Sequence, residues 1–239
     1  WALFRDMLQR DGYQDGNVLF KEHYSTWREI ISSFGLGQRF EHTDILEQAK
    51  GYLPTTEFYN NIYGETGWKA ITIRSLSIGQ GEILTTPLQL ANQAAAIANK
   101  GYYIAPHLNK NDSMKSEKHI CLVDSSHFDV VHRGMARVMT EGTGKWYNIP
   151  EWQICGKTGT VENPHGEDHA LFIGFAPMDN PKIAVAVAVE NAGFGATWAC
   201  PIATLVMEQY LSGEIKRNWL YKRMLEANLI DKKNDDDKE

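Results

Sequence analysis

The strongest constraint on this fold is a change from helical to alternating hydrophobicity after Trp152. Three apolar segments follow, WQICGKTGTVE, DHALFIGFAP and KIAVAVAVE, and only the short polar linkers NPHGE and MDNP separate them. Short runs of alternating residues predict β-strands, and linkers of this length join antiparallel neighbours. The second half of the chain is therefore predicted to contain a three-stranded antiparallel sheet.

The third of these strands is apolar on both faces. One face carries isoleucine and valine and the other carries alanine, as in residues 183–189, IAVAVAV. A sheet that is apolar on both faces needs helices on both sides. The following segment, IATLVMEQYLSG, predicts a helix, and we expect it on the alanine face because small side chains allow close approach.

The first half of the chain predicts helices. In STWREIISSFGLG, Ser25 or Thr26 is expected to cap a helix that ends at Gly35 or Gly37. In TTPLQLANQAAAIANKG, Thr86 can cap a helix and the proline after it suits the first helical position.

A further helix is predicted in SHFDVVHRGMARVMTEGTG, with one apolar face made of Phe128, Val131, Met135 and Val138. Residues 42–68 have little periodicity and predict an extended, largely irregular excursion. Residues 110–118 are charged and predict a surface loop. The chain begins inside a helical pattern, which predicts a C-terminal fragment of a larger domain over residues 1–229, with a disordered charged tail over 230–239.

Composition excludes several classes of function. The 239 residues are 43% hydrophobic, which suits a globular core, and the net charge of −6 comes with no basic stripe. Nucleic acid and anionic membrane surfaces are therefore not expected partners. The three cysteines, at 121, 155 and 200, have no metal-ligand spacing and are expected to be buried thiols.

The segment ICGKTGTVE can be interpreted in two ways. A P-loop requires G-x-x-x-x-G-K-[ST], but Glu151 stands where its first glycine belongs, and a strand pattern follows where the P-loop needs a helix. The alternative is a K-T-G motif on a strand, formed by Lys157, Thr158 and Gly159. The sequence favours the second interpretation.

The chemistry of this motif follows from strand geometry. Alternation puts Lys157 and Gly159 on one face, and Thr158 and Thr160 on the other. A glycine in an edge strand lets a ligand come close to the backbone. An ammonium group and two hydroxyls beside backbone N–H groups form a receptor for a carboxylate and an extended peptide. The three residues alone also allow another interpretation, in which this is a surface strand and Lys157 is only solvated.

The surrounding sequence resembles a known family. GKTGTVENPHGEDHALFIGFAPMDNPKIAVAVAVEN is similar to the last sheet strands of class B penicillin-binding proteins, the D,D-transpeptidases that cross-link peptidoglycan. AKGYLPTTEFY, SIGQGEILTTPLQLANQAAAIANKG and GMARVMTEGTG follow that family's order. The resemblance covers about residues 25–212. Within the class, the chain looks most like penicillin-binding protein 2, the elongation type, although division-type relatives share much of the pattern.

The resemblance implies an α+β type of α/β fold, the penicillin-binding and serine β-lactamase-like transpeptidase fold, in which helices flank an antiparallel sheet and whose N-terminal part is missing here. It makes Lys157 the basic residue of the third motif. Thr158, Gly159 and Thr160 would bind the substrate's terminal carboxylate, and the Thr160 N–H would supply half of an oxyanion hole.

The other two family motifs are absent from the sequence. None of the ten serines has lysine three residues on or asparagine two residues on. The resemblance places both motifs before the first residue, so we expect a truncated domain that cannot be acylated by itself. His169 could be a general base, although a structural position is favoured, and Cys155 lacks an activating partner. Gly79, Gln80 and Gly81 form either a tight turn or a substrate contact.

The resemblance also implies partners and a location. The intact protein would act on stem peptides ending in D-Ala-D-Ala, would be acylated by β-lactams, and would work with a glycosyltransferase or morphogenesis complex at the periplasmic face of the inner membrane. It implies no cofactor and no metal. Two alternatives on the same fold stay open, which are a non-catalytic β-lactam-sensing domain and a serine β-lactamase.

Overall fold

The computed structural model describes residues 2–8, 18–109 and 117–230. In these ranges the chain forms seven α-helices and five β-strands. The helices are α1 (Ala2–Leu8), α2 (Val18–Ser32), α3 (Thr56–Tyr63), α4 (Pro87–Ala98), α5 (Phe128–Thr140), α6 (Ala199–Ser212) and α7 (Asn218–Glu226). The strands are β1 (Tyr102–Ile104), β2 (Lys118–Ile120), β3 (Cys155–Val161), β4 (His169–Ala176) and β5 (Ile183–Val189).

The chain divides into two compact units. The first contains residues 1–96 and 101–124, and the second contains residues 97–100 and 125–239. The expected division into one domain over 1–229 and a tail over 230–239 stays a prediction, because residues 231–239 lie outside the described residues.

The core of the first unit is an aromatic cluster. The rings of Phe20, Tyr24 and Tyr59 lie 4.9, 5.4 and 5.0 Å from that of Trp68, and all four side chains are buried. The Tyr24 hydroxyl donates to the Pro54 carbonyl at 2.8 Å, and the Trp68 N–H donates to an amide oxygen at 2.9 Å. Burial raises the pKa of Tyr24 and Tyr59, so both phenols stay neutral and act as hydrogen-bond donors.

One expectation for the first unit was wrong, and another is confirmed with one exception. Helix α2 begins at Val18, so Ser25 and Thr26 lie inside the helix and cap nothing; the Thr26 hydroxyl instead donates to the Glu22 carbonyl at 3.0 Å. The excursion over 42–68 is largely irregular, as expected, and the exception is α3. The Thr55 hydroxyl caps this helix by accepting the Phe58 N–H at 3.1 Å.

Helix α4 confirms the expected start. The Thr86 hydroxyl accepts the Gln89 N–H at 3.2 Å, while the Gln89 side-chain oxygen accepts the Thr86 N–H at 3.0 Å, which is a reciprocal capping box. The same buried glutamine donates to the Gln38 and Lys50 carbonyls at 2.8 and 2.9 Å. One side chain thus joins three separate segments of the first unit.

Replacing Gln89 by leucine is expected to lower the free energy of unfolding by about 2–4 kcal/mol, because three backbone groups lose their partner in a buried place. Chemical denaturation followed by tryptophan fluorescence measures this. Gln93→Leu is the matched control, since Gln93 lies one turn later and its side chain makes no hydrogen bond among the described residues. Equal midpoints for the two variants would contradict the prediction.

The sheet of the second unit confirms the predicted antiparallel strands. Its order is β3-β4-β5, with Lys157 opposite Ile173 and Gly174 opposite Val185. The expected position of α6 was wrong, because α6 packs on the face that carries the larger side chains. Its residues Ala199, Ala203 and Met207 share a core with Val185. The valine face offers more apolar area to bury than the alanine face.

The alanine face of the sheet is covered at one end. Ala184 packs against a smaller buried cluster that contains Met135, Cys155 and Phe175, whereas Ala188 is exposed. The predicted apolar face of α5 was also partly wrong. Val131 is 42% exposed, and His132 is buried in its place at 2%. The His132 Nε2–H donates to the Ile97 carbonyl at 2.7 Å, which satisfies the buried ring.

Two negative findings apply to the described ranges. No helix there is long and apolar enough to cross a membrane. No group of three or more histidine, cysteine, aspartate or glutamate side chains there is arranged to hold a metal ion. The predicted surface loop over 110–118 falls mostly on residues 110–116, outside the described residues, and Lys118 begins β2.

Candidate active site

The K-T-G motif lies on β3, as the sequence predicted. The next element is β4, and the two strands pair over their whole length, from Cys155 opposite Phe175 to Val161 opposite His169. A phosphate-binding loop would have to open a helix at this point, so that interpretation is excluded. In the described ranges β3 pairs with β4 alone, which leaves its other edge open to a ligand.

The side chain of Lys157 is exposed at this strand. Its Nζ donates to the carbonyl of Thr158 at 2.6 Å, so the ammonium group lies along its own strand. Thr158, Gly159 and Thr160 are each half-buried. The strand therefore presents one cation on one face and two hydroxyls on the other, beside an open edge, and each of these groups can pair with a carboxylate.

A residue that sequence reasoning did not select, Thr143, contacts the motif directly. Its hydroxyl oxygen lies 2.7 Å from that of Thr158, within hydrogen-bond distance. Thr143 belongs to the turn that follows α5, in the segment EGTG, and is separated from Thr158 by two 3₁₀ turns. The available signal is that Thr143 lies in the GMARVMTEGTG block, one of the segments that carry the family resemblance.

Glycines let this turn pack tightly beneath the strand. A Cβ atom on Gly144 would lie 2.5 Å from the Met139 sulfur, and a Cβ on Gly156 would lie 2.3 Å from the ring of Phe172 and 3.2 Å from the same sulfur. Met139 is fully buried. The methionine therefore separates the turn from the strand by a fixed distance, and neither glycine can carry a side chain without a shift.

A second loop, between β5 and α6, packs on the paired backbones of β3 and β4. A Cβ atom on Gly195 would lie 2.2 Å from the carbonyl oxygen of Gly159 and 2.3 Å from that of Leu171. The Gly195 carbonyl accepts the N–H of Cys200 at 2.9 Å, in the first turn of α6. The loop that leads into α6 thus rests directly on the backbone of the K-T-G strand.

His169 has a structural contact at the turn between β3 and β4. Its Nδ1 accepts the N–H of Asn191 at 3.0 Å. The neighbouring Asp168 carbonyl accepts the N–H groups of Ala192 and Gly193 at 2.9 and 2.7 Å. The ring nitrogen that a general base would use is therefore occupied by backbone, and these contacts hold the strand ends together.

The cysteines are buried free thiols, as predicted. Burial, with a smaller contribution from Asp179, raises the pKa of Cys155 to about 12, and burial raises that of Cys200 to about 12 and that of Cys121 to about 11. A thiol with such a pKa is not a nucleophile at neutral pH. The Cys155 sulfur instead lies 3.5 Å from the His132 carbonyl.

The segment Gly79-Gln80-Gly81 forms a tight turn in the first unit. Both glycines have positive φ, 75° and 78°, and the Gln80 N–H donates to the Ser75 carbonyl at 3.0 Å. Positive φ is a conformation that glycine adopts without strain. The sequence predicted either a tight turn or a substrate contact here, and the backbone forms the tight turn.

Comparison with known families identifies the protein family of this chain. Residues 17–208 match the profile of the penicillin binding protein transpeptidase domain. The chain belongs to that family. The α+β fold that the resemblance implied is therefore confirmed for this penicillin-binding transpeptidase domain, and similar proteins within the family include ones named MrdA or PBP2.

Two curated relatives are peptidoglycan D,D-transpeptidases named MrdA. The protein of Acinetobacter baumannii is 32% identical over 207 residues, which cover 76% of this chain and 30% of that protein. The protein of Haemophilus influenzae is 32% identical over 227 residues, which cover 84% of this chain and 34% of that protein. The chain thus spans about a third of the length of these penicillin-binding transpeptidases.

Solved structures give the same result. The crystal structure of Pseudomonas aeruginosa PBP2 in complex with WCK 5153 matches with a TM-score of 0.72 and 32% identity, over 91% of this chain and 47% of that one. The complex between PBP2 and MreC from Helicobacter pylori matches with a TM-score of 0.69 and 20% identity, over 89% and 38%. The second match supports the penicillin-binding transpeptidase fold alone.

Proposed function

We propose that this chain forms the carboxylate-binding wall of a penicillin-binding protein 2-type D,D-transpeptidase that cross-links peptidoglycan during cell elongation. The observation that carries the proposal is the Lys157-Thr158-Gly159 motif on a strand with an open edge, in a chain that matches the transpeptidase family over residues 17–208. The nucleophilic serine and the S-x-N motif would lie outside these 239 residues, because none of the ten serines has the required spacing.

The reaction would take place in two steps. The serine oxygen attacks the carbonyl carbon of the penultimate D-alanine of a stem peptide, the peptide bond to the last D-alanine breaks, and the leaving amine takes up the serine's proton. An amine of a second stem peptide then attacks the acyl-serine ester. It forms the cross-link, loses a proton and restores the serine hydroxyl. Neither step needs a cofactor.

Residues of β3 would have three roles in this reaction. Lys157 places a positive charge at the open edge of the strand, where it would assist proton movement near the serine. The hydroxyls of Thr158 and Thr160 would donate hydrogen bonds to the substrate's terminal carboxylate, and Gly159 would let the peptide approach the backbone. The Thr160 N–H would contribute to the oxyanion hole, which is worth ~3–4 kcal/mol in general.

The cellular setting is part of the same proposal. The Helicobacter pylori relative has been solved in a complex with MreC. By analogy with such assemblies, the intact protein would be anchored in the inner membrane, would work in the periplasm, and would associate with a morphogenesis complex that includes a glycosyltransferase. β-Lactams would acylate its serine because their ring and carboxylate resemble the D-Ala-D-Ala terminus.

A gel assay with fluorescent penicillin tests the proposal. The longer protein that carries the chain together with its upstream S-x-x-K segment is expected to give a covalently labelled band. The 239-residue chain alone is expected to give none, because the acylated serine is missing. A labelled band from the chain alone would overturn the motif assignment, and an unlabelled longer protein would overturn the transpeptidase assignment.

Turnover distinguishes the two alternatives on the same fold. A β-lactamase would release hydrolysed penicillin within seconds to minutes, so its labelled band would fade rapidly after free penicillin is removed. A sensor domain would keep the label but would not convert a D-Ala-D-Ala peptide and an acceptor amine into a cross-linked product. Stable labelling together with product formation is the expected result.

A further inference from the structure

The hydroxyl groups of Thr143 and Thr158 share a hydrogen bond in which either residue can be the donor. The oxygens lie 2.7 Å apart. A hydroxyl has one proton and two acceptor lone pairs, so the group that donates within the pair has no proton left for another partner. The direction of this bond therefore decides what Thr158 offers to a ligand.

Only one direction suits an anionic ligand. When Thr143 donates to Thr158, the Thr158 proton is free to point at a carboxylate, and the two bonds in series polarise one another. When Thr158 donates to Thr143, a Thr158 lone pair faces the ligand and repels its negative charge. Thr143 is exposed and Thr158 half-buried, so the pair is open to solvent on the Thr143 side.

The turn that carries Thr143 is held firmly by the backbone. The N–H groups of Glu141 and Gly142 both donate to the Arg137 carbonyl, at 2.8 and 2.9 Å, and the Gly144 N–H donates to the Val138 carbonyl at 3.0 Å. A Cβ on Gly142 would lie 2.9 Å from the Val138 Cα, so glycine lets the turn pack closely on the end of α5. These contacts fix the backbone at Thr143, and the bond to Thr158 is the contact that positions its hydroxyl.

We propose that Thr143 is a positioning residue that directs the Thr158 hydroxyl proton toward the carboxylate of the substrate or of a β-lactam. The inference rests on the proposed function, because it assigns Thr158 to the ligand carboxylate. Thr143 itself acts through Thr158. Its contribution is therefore specific for ligands that carry the negative charge, and this specificity separates it from a residue that only stabilises the turn.

The test measures the second-order rate of acylation in the longer protein that contains the serine, with benzylpenicillin and with its methyl ester. Thr143→Val keeps the shape and removes the hydroxyl, and Thr143→Ser keeps the hydroxyl. For Thr143→Val we expect a 5- to 20-fold loss with benzylpenicillin, the range for a weakened hydrogen bond to a charged group, and less than a 2-fold change with the ester. Thr143→Ser is expected to stay within about 2-fold of wild type with both ligands.

The ratio of the two rates protects the test against misfolding. Any loss of folded protein lowers both rates equally, so the preference for the carboxylate over the ester reports on the hydroxyl alone. An equal loss with both ligands, or no loss with either, would overturn the inference and leave the proposed function intact. A wild-type protein that neither ligand acylates would instead overturn the proposed function.

Discussion

Replacing Lys157 by alanine is expected to slow β-lactam acylation at least ~100-fold in the protein that carries the serine, because a positioned proton-transfer group contributes 10²–10⁴-fold. Lys157 is the cation that the second unit presents at the open edge of β3. Its removal leaves the developing negative charge and the serine's proton without a neighbouring ammonium group. Stopped-flow or gel-based acylation with fluorescent penicillin measures the rate.

Lys182→Ala provides the matched control for this experiment. Lys182 is also exposed and its Nζ donates to a nearby oxygen, that of Asn180 at 3.3 Å, but it precedes β5 instead of lying on β3. We expect its acylation rate to stay within about 2-fold of wild type, as for surface charges in general. If Lys157→Ala acylates as fast as Lys182→Ala, the catalytic assignment of Lys157 is wrong.

Arg217→Met is expected to lower the free energy of unfolding by about 3–5 kcal/mol, the usual cost of removing one partner from a buried ion pair. The Arg217 Nε donates to Glu208 at 2.9 Å, and the two side chains are only 18% and 4% exposed. The other guanidinium nitrogens donate to the Tyr147 and Thr204 carbonyls at 3.0 and 2.9 Å. The substitution therefore leaves a buried carboxylate and two carbonyl groups without their hydrogen-bond donor.

The chain contains a matched exposed pair for comparison. The Arg137 guanidinium on α5 and the Glu141 carboxylate at the helix C-cap lie 2.8 Å apart, a similar distance, but their side chains are 73% and 62% exposed. Arg137→Met is expected to cost less than ~0.5 kcal/mol, because solvent screens such a pair. Urea denaturation of both variants, followed by near-UV circular dichroism, gives the difference. Similar costs for the two substitutions would show that burial does not control the Arg217 interaction.

The sheet was predictable because its sequence signal is local. Residues 183–189 alternate strictly, and the linkers around them are too short for anything except antiparallel neighbours. The side on which α6 packs was not predictable in the same way. Both faces of β5 are apolar, so periodicity gives no preference, and the choice depends on how much area the helix buries against Val185.

Helix ends in the first half of the chain were also hard to predict from the sequence. Thr55 caps a short helix inside a segment that has little periodicity, and Ser25 lies inside a helix despite being a good capping residue. Capping residues mark helix ends only when the fold lets the chain turn there. His132 illustrates the same dependence, since the burial of its ring requires the Ile97 carbonyl as a partner from another part of the unit.

The candidate site was partly visible in the sequence. Lys157, Thr158, Gly159 and Thr160 are contiguous, so a strand assignment alone puts them at one place. Thr143 was not visible, because its contact with Thr158 depends on how α5 ends and on how closely Gly144 and Gly156 approach Met139. Such contacts between separate segments arise from packing, which no local pattern records.

The contact between Gly195 and the backbone of Gly159 makes position 195 intolerant of any side chain. An alanine there would put its Cβ 2.2 Å from the Gly159 carbonyl oxygen and 2.3 Å from that of Leu171, so either the loop or the strand would have to shift. Either shift disturbs the packing of the strand that carries the K-T-G motif. The shape of the candidate site thus depends on a glycine that lies outside the motif and offers a ligand no side chain.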